Sequence, residues 1–123
     1  MEATIKPNLA NTISLAPMVR MNTLPFRQLA LTHGADYVFS EEIIDRKLIS
    51  CVRLENPLIN TIDYVVSKGD YGLVISIKPE ERSKFILQIG TNNPETAVLA
   101  VDRLLPDIAG VDVNMGCPKS FST

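Results

Sequence analysis

Short apolar segments alternate with segments of helical periodicity along most of the chain. Four apolar segments, rich in branched and aromatic side chains, predict β-strands at residues 13–16, 35–40, 85–90 and 110–114. Three helices are predicted between them. The first has Asn22 and Thr23 as a candidate N-cap and ends at Gly34, and the second covers residues 41–49. The third has Asn93 as its cap, begins at Pro94 and ends at Pro106.

A different pattern occupies the middle of the chain. Residues 60–78 alternate apolar with polar positions on both sides of a turn at residues 67–70, which predicts a β-hairpin. We expect this hairpin to be an insertion that decorates the main fold. The charged residues 80–84 that follow are expected to form a solvated turn.

Alternation of strands and helices with short connections predicts an α/β fold with a parallel sheet covered by helices. Pro17 and Met18 follow the first strand, where a dinucleotide-binding fold would have a glycine-rich turn. This favours a (β/α)8 barrel, which needs about 250 residues. The 123 residues therefore predict the N-terminal half of a TIM barrel, about four βα units with the hairpin inserted.

Composition and charge limit the class of protein. The chain is 46% hydrophobic and 21% charged, which is ordinary for one globular domain. Its net charge of −2 argues against a dense basic surface for nucleic acid on this chain by itself. No apolar run reaches the roughly 18 residues of a membrane span, and the N-terminus does not resemble a secretory signal, so we expect a cytoplasmic protein with Cys51 and Cys117 as free thiols.

Polar residues end several of the predicted strands, at the edge where a (β/α)8 barrel carries its functional groups. Side chains alternate along a strand, so Val111 and Val113 are predicted to face the helices and Asn114 the barrel mouth. By the same argument, Phe39 is predicted to face the helices and Glu42 the mouth, which makes Glu42 our candidate site residue on that strand. The alternative is that both neighbouring glutamates only stabilise the start of the next helix.

Three side chains at this edge suit chemistry. The amide of Gln88 both donates and accepts, as the pyrimidine edge of a flavin requires, and Asn114 is similar. Cys117 lies between Gly116 and Pro118 just past a strand end, and a thiol near neutral pH carries a proton that it can donate. The alternative for each is a structural role in the core or in a turn.

Taken in order, four motifs resemble the tRNA-dihydrouridine synthase family: LAPMV at 15–19, SEE at 40–42, LQIG at 87–90 and DVNMGCPK at 112–119. Residues 23–27 (TLPFR) and 34–36 (GAD) are most similar to its eukaryotic branch, which acts on uridine 20. The resemblance covers nearly the whole chain after its first ten or so residues.

The resemblance implies an FMN-binding barrel that reduces the C5–C6 bond of a tRNA uridine with electrons from NADPH or NADH. It implies that Cys117 gives the proton to C5. The remaining site positions that it implies are Pro17, Met18 and Val19 against the flavin ring, Gln88 at its pyrimidine edge, and Asn114 beside flavin and substrate. We expect tRNA as the partner, with neither a membrane nor a metal ion.

The family continues beyond Thr123 into a glycine-rich loop and later FMN- and tRNA-binding parts that have no counterpart here. The expectation is therefore that residues 1–123 are an incomplete barrel, inactive alone. One alternative is a truncated, non-catalytic isoform. Another is an FMN barrel of the dihydroorotate or dihydropyrimidine dehydrogenase kind, although those have serine-like residues where Met115 and Gly116 stand.

Overall fold

The protein is described by a computed structural model that covers residues 7–66 and 71–120. Its elements, in chain order, are β1 (Ser14–Leu15), α1 (Leu24–Thr32), β2 (Tyr37–Ile44), α2 (Asp45–Ile49), β3 (Val52–Asn56), β4 (Thr61–Val65), β5 (Leu73–Ile77), a 3₁₀ turn (Pro79–Lys84), β6 (Phe85–Gly90), α3 (Pro94–Leu104), a second 3₁₀ turn (Leu105–Asp107) and β7 (Gly110–Val113). One sheet has the strand order β1-β2-β6-β7, with every neighbouring pair parallel. The predicted α/β fold with a parallel sheet is confirmed.

Two of the predicted helix ends are confirmed by their hydrogen bonds. Gly34 follows α1 with φ of +97°, and its N–H donates to the carbonyl of Leu31 at 3.1 Å. A residue with a side chain rarely adopts this φ, which is why glycine ends the helix. At the start of α3, the Asn93 side chain accepts from the N–H groups of Glu95 and Thr96 at 2.8 and 3.3 Å.

Of the two residues predicted as the N-cap of α1, Thr23 is confirmed in that position and Asn22 is not. Thr23 occupies the cap position and makes no side-chain capping bond. Asn22 is instead buried, and its Nδ2 donates to the carbonyls of Ala16 and Phe39 at 2.7 and 2.9 Å. The side chain thus ties the end of β1 to β2, a long-range contact that the local sequence pattern cannot reveal.

The main core lies on one face of the parallel sheet, which we call the outer face. Val38, Phe85, Leu87 and Ile89 project from this face and are almost completely buried. They pack with residues of α2, α3 and the second sheet in one hydrophobic cluster. Because this cluster removes the apolar residues of both central strands from water, it fixes which side of each strand faces outwards.

The predicted hairpin is a three-stranded antiparallel sheet, with the order β3-β4-β5. The extra strand, β3, was missed, and the predicted turn at 67–70 lies outside the described residues. Every residue of β4 is buried, and Ile62, Tyr64, Ile75 and Ile77 belong to the main core. This sheet therefore does not decorate the fold; it covers the outer face of the parallel sheet together with the helices.

A buried carboxylate anchors this second sheet. Asp107 is completely buried after α3 and accepts from the Tyr64 hydroxyl at 2.5 Å and from the Arg53 guanidinium at 2.8 and 3.1 Å. Burial acts to raise the pKa of Asp107, but the bonds from Arg53 and Tyr64 outweigh it, so the pKa lies below its ordinary value. Burial and the neighbouring Asp107 raise the pKa of Tyr64, so this phenol remains a donor.

The helix predicted over residues 41–49 is shorter, because β2 runs on to Ile44 and α2 begins only at Asp45. Within β2 the pairing with β6 shifts: Phe39 pairs with Ile86, whereas Glu42 pairs with Gln88. Two residues of β2 therefore oppose one of β6, which is a β-bulge.

Because of the bulge, the side-chain alternation that we predicted for β2 was partly wrong. Phe39 shares the face of Ile86, opposite the main core, rather than facing the helices. Glu42 still lies on that same face, because the extra residue reverses the alternation between them. Inside the bulge, the buried Ser40 hydroxyl accepts from the Gln88 N–H at 2.9 Å, replacing an ordinary ladder bond.

The charged residues 80–84 are not simply a solvated turn, because Glu81 is buried and forms a salt bridge with Arg27. The guanidinium donates to the two carboxylate oxygens at 2.8 and 3.2 Å and lies 4.7 Å from the ring centre of Phe85. Arg27 also donates to the carbonyls of Asn22 and Ser76 at 2.9 and 2.6 Å. One side chain thus joins α1, β5 and the turn before β6.

We predict that Glu81→Ala lowers the free energy of unfolding by about 3–5 kcal/mol, because it leaves the buried Arg27 charge without its partner. Glu80→Ala is the matched control, since Glu80 is exposed on the same turn. Chemical denaturation followed by circular dichroism measures both. Equal midpoints for the two variants would contradict a structural role for the ion pair.

We also predict that Ser40→Ala lowers the free energy of unfolding by about 1–3 kcal/mol, since the buried Gln88 N–H then has no acceptor. Ser50→Ala removes an exposed hydroxyl that bonds the carbonyl of Lys47, and it should change stability little. The same denaturation experiment compares the two serines. A Ser40 variant as stable as the Ser50 variant would mean that the bulge does not need the hydroxyl.

Candidate functional site

The inner face of the parallel sheet, opposite the main core, carries polar side chains near the carboxyl ends of three adjacent strands. Gln88 on β6 pairs in register with Glu42 on β2 and with Asp112 on β7. Paired residues of parallel strands project to the same face, and Asn114, two positions after Asp112, follows on that face. The predicted orientation of Glu42 and Asn114 is therefore confirmed, although for Glu42 it depends on the bulge.

Gln88 is held by a carboxylate. Its Nε2 donates to Oδ2 of Asp112 at 2.6 Å, and Gln88 is only 8% exposed. An ionised carboxylate only accepts hydrogen bonds, so the amide nitrogen of Gln88 must point towards Asp112. The amide oxygen is consequently directed away from Asp112.

Glu42 and Asn114 are brought together, and Asn114 in turn holds the loop with the cysteine. The Asn114 Nδ2 donates to the Glu42 carboxylate. The Asn114 Oδ1 accepts from the N–H groups of Gly116 and Cys117 at 3.0 and 3.1 Å. The partly exposed thiol of Cys117 thus lies on a turn that is fixed by one side chain at the end of β7.

Pro17, Met18 and Val19 lie in the loop between β1 and α1, with Met18 38% and Val19 61% exposed. Arg20, next in this loop, has a φ of +66°, an uncommon value for a residue with a side chain. Its N–H donates to Oε2 of Glu41 at 2.6 Å. The hydrogen bonds of the loop connect it to β2 rather than to Gln88, Asn114 or Cys117.

The two cysteines differ in environment, and both are free thiols, as predicted. Cys51 is 1% exposed and belongs to the main core as a small buried residue. Burial raises its pKa above the ordinary value, so this thiol stays protonated. Of the two thiols, Cys117 is the one that is partly exposed to solvent.

Three polar residues near this edge were not among the predicted site residues. Asp112 shows the same alternation as Asn114, so the sequence did carry a signal for it. Ser40 acts through a bulge, which has no local signature here. Asp45 is buried at the start of α2 and accepts from the hydroxyls of Thr91 and Thr96 at 2.6 and 2.5 Å, which fixes the loop after β6.

The bonds to Asp45 also affect its ionisation. Burial acts to raise the pKa of this carboxyl, but hydrogen bonds from Thr91, Thr96 and the Arg46 N–H outweigh it, so the pKa is lowered. Asp45 therefore stays ionised at neutral pH and holds the loop as a charged acceptor.

The inner face carries two carboxylates, Glu42 and Asp112. Within residues 7–66 and 71–120, the salt bridges involve neither of them.

The described part of the chain holds no group of three or more histidine, cysteine, aspartate or glutamate side chains placed to bind a metal ion. None of its described helices is long and apolar enough to cross a membrane.

Comparison with known proteins places this arrangement in a family. The model of the family "Dihydrouridine synthase (Dus)" matches residues 14–123. A tRNA-dihydrouridine(20) synthase [NAD(P)+] of Saccharomyces cerevisiae is 49% identical over 118 residues, which are 92% of this chain and 31% of that protein. Its namesake in Schizosaccharomyces pombe is 42% identical, over 94% of this chain and 24% of that protein.

A more distant relative, a tRNA-dihydrouridine(47) synthase [NAD(P)(+)] of Neosartorya fischeri, is 31% identical over 87% of this chain. The chain spans about a third or less of the length of these curated relatives. The family match covers almost all of it, including every polar side chain of the inner face described above. The chain belongs to the dihydrouridine synthase family.

Proposed function

We propose that this chain forms part of the active site of a flavin-dependent tRNA-dihydrouridine synthase that reduces the C5–C6 bond of a uridine, at position 20 as in the two most similar relatives named above. One observation carries the proposal. Cys117 is a partly exposed thiol on a turn that Asn114 fixes, beside the polar inner face of the sheet. This is where a proton donor is needed in an enzyme of this family.

The residues present fit an FMN ring. Because the Nε2 of Gln88 donates to Asp112, the amide oxygen of Gln88 remains as the acceptor for a ring N–H. The exposed apolar side chains of Met18 and Val19, with Pro17 before them, offer a surface for the flat ring system. We propose that these residues bind the flavin ring, with Glu42 and Asn114 next to it.

FMN held by these residues would supply the hydride for C6 of the uracil, with NADPH or NADH as the reductant. Cys117 donates its proton to C5, which completes the saturation of the double bond, and the resulting thiolate regains a proton from solvent. Asn114 keeps the thiol in place by holding the Gly116 and Cys117 N–H groups. The chain therefore contributes orientation and a proton, while the cofactor contributes the electrons.

The proposal extends to the fold and the partner. We interpret the four parallel strands as consecutive strands of a (β/α)8 barrel whose mouth is the carboxyl edge of the sheet, where such barrels carry their active sites. Because this chain has a net charge of −2, most basic contacts to tRNA must come from residues outside it. The family match favours this function over a dihydroorotate or dihydropyrimidine dehydrogenase.

We predict that Cys117→Ala lowers dihydrouridine formation by about 100- to 10,000-fold, the usual cost of losing a general acid, while flavin stays bound. The full-length gene product that contains this sequence should be expressed in yeast lacking its own tRNA-dihydrouridine(20) synthase. Mass spectrometry of nucleosides from purified tRNA then quantifies dihydrouridine. Cys51→Ala is the control, since Cys51 lies in the core and takes no part in the reaction; undiminished dihydrouridine with Cys117→Ala would refute the assignment.

A second prediction concerns the cofactor. Gln88→Ala should weaken FMN binding by about 1–3 kcal/mol, the cost of leaving a buried hydrogen-bonding group without its partner. Flavin fluorescence after gel filtration measures the retained cofactor. The control is Gln28→Ala on α1, which should keep its flavin. If the Gln88 variant binds FMN with unchanged affinity, this glutamine is structural.

A further inference from the structure

The turn with Cys117 depends on the orientation of one side-chain amide. The Asn114 N–H donates to the carbonyl of Ile89 at 3.0 Å, so its backbone is bonded to β6 just past the end of β7. Its Oδ1 accepts from both N–H groups of the turn, at Gly116 and Cys117. If the amide rotated by half a turn, its NH₂ group would face those two donors and the turn would lose its acceptor.

Glu42 prevents this rotation. Its carboxylate accepts from the Nδ2 of Asn114, and a carboxylate offers no donor for the opposite orientation. Glu42 itself lies on a central strand, in register with Gln88, after the bulge at Ser40 has turned it to the inner face. A rigid element thus fixes Glu42, Glu42 fixes Asn114, and Asn114 fixes Cys117.

We propose, on the basis of the function proposed above, that Glu42 is a positioning residue for proton transfer, acting on Cys117 through Asn114. Its contribution is a hydrogen-bond acceptor at a fixed place, and it does not need to touch the flavin or the substrate. This role differs from direct cofactor binding, and the two make different predictions for flavin content.

The first test compares Glu42→Ala with Glu42→Gln in the full-length gene product, measuring single-turnover reduction of tRNA. We expect Glu42→Ala to slow the reaction by about 10- to 100-fold, as displaced catalytic groups do, with tRNA affinity and flavin content unchanged. Glu42→Gln keeps an acceptor for Asn114 but adds a donor that permits the opposite orientation, so its rate should lie between those of Glu42→Ala and the wild type. Glu55→Ala and Glu55→Gln are the matched controls, because the Glu55 side chain is exposed and lies on β3 of the second sheet.

A reciprocal exchange gives a second, independent test. Asn114→Asp keeps an acceptor for the turn but places two carboxylates against each other, so we expect the rate to fall. Glu42→Gln combined with Asn114→Asp restores a donor–acceptor pair in the reverse sense, and it should recover at least about tenfold over Asn114→Asp alone, a coupling typical of residues in contact. This comparison remains informative if Glu42→Ala fails to fold.

A third measurement separates this proposal from the proposed function. Peptide-resolved mass spectrometry follows the alkylation of Cys117 by iodoacetamide over a range of pH, with buried Cys51 as the unreactive internal reference. Release of the turn in Glu42→Ala should speed the alkylation of Cys117, and Glu42→Gln should speed it less. If the unsubstituted protein forms no dihydrouridine while these alkylation differences hold, the proposed function is wrong, whereas the control of the Cys117 turn by Glu42 stands.

Three results would overturn the positioning role: loss of flavin from Glu42→Ala in proportion to the lost activity, no recovery in the exchanged pair, or rates and alkylation of Glu42→Ala equal to those of Glu55→Ala. The first would make Glu42 a cofactor ligand. The others would mean that Asn114 holds the turn without help.

Discussion

The pairing of β2 with β6 is the constraint on which the rest of the structure depends. These two central strands present Val38, Phe85 and Leu87 to the main core and Gln88 to the inner face. A shift of one residue in their register would exchange the two sets, so burial of the outer face also determines which side chains reach the inner face. The single bulge within this pairing is what brings Glu42 into line with Gln88.

The second sheet shows how buried polar groups make such an arrangement specific. Arg27 crosses from α1 to Glu81 and Ser76, and Asp107 joins Arg53 and Tyr64 from two strands of the second sheet. Apolar burial supplies most of the driving force for packing but does not discriminate strongly between similar arrangements. Buried charges do, because a misplaced sheet would leave them without partners at a cost of several kcal/mol.

Local signals in the sequence predicted the parts of the fold that local chemistry determines. Glycine at position 34 and asparagine at position 93 mark helix ends by their own backbone and side-chain properties, and the strand segments show their apolar character directly. The third antiparallel strand, the bulge and the burial of Glu81 were not predictable in this way. The bulge and the burial of Glu81 depend on distant residues, Gln88 and Arg27, while β3 is fixed by its pairing with the neighbouring strand β4.

In the candidate site, too, local signals predicted some features and missed others. Alternation along β7 was enough to direct Asn114 to the inner face, because that strand is regular. On β2 the same rule gave the right face for Glu42 and the wrong one for Phe39, since the bulge between them is set by the partner strand. The position of Cys117 followed from its motif, and the bonds from its turn to Asn114 are local, but the contact of Asn114 with Glu42, 72 positions away, had no local signal.

A primary amide is ambiguous as a recognition group, because its two ends have opposite hydrogen-bonding character and similar shape. Here each of two amides is paired with a carboxylate, Gln88 with Asp112 and Asn114 with Glu42. An ionised carboxylate accepts only the NH₂ end, so both oxygens are directed elsewhere: that of Asn114 to the turn and that of Gln88 away from Asp112. The carboxylates thus convert two ambiguous groups into defined acceptors.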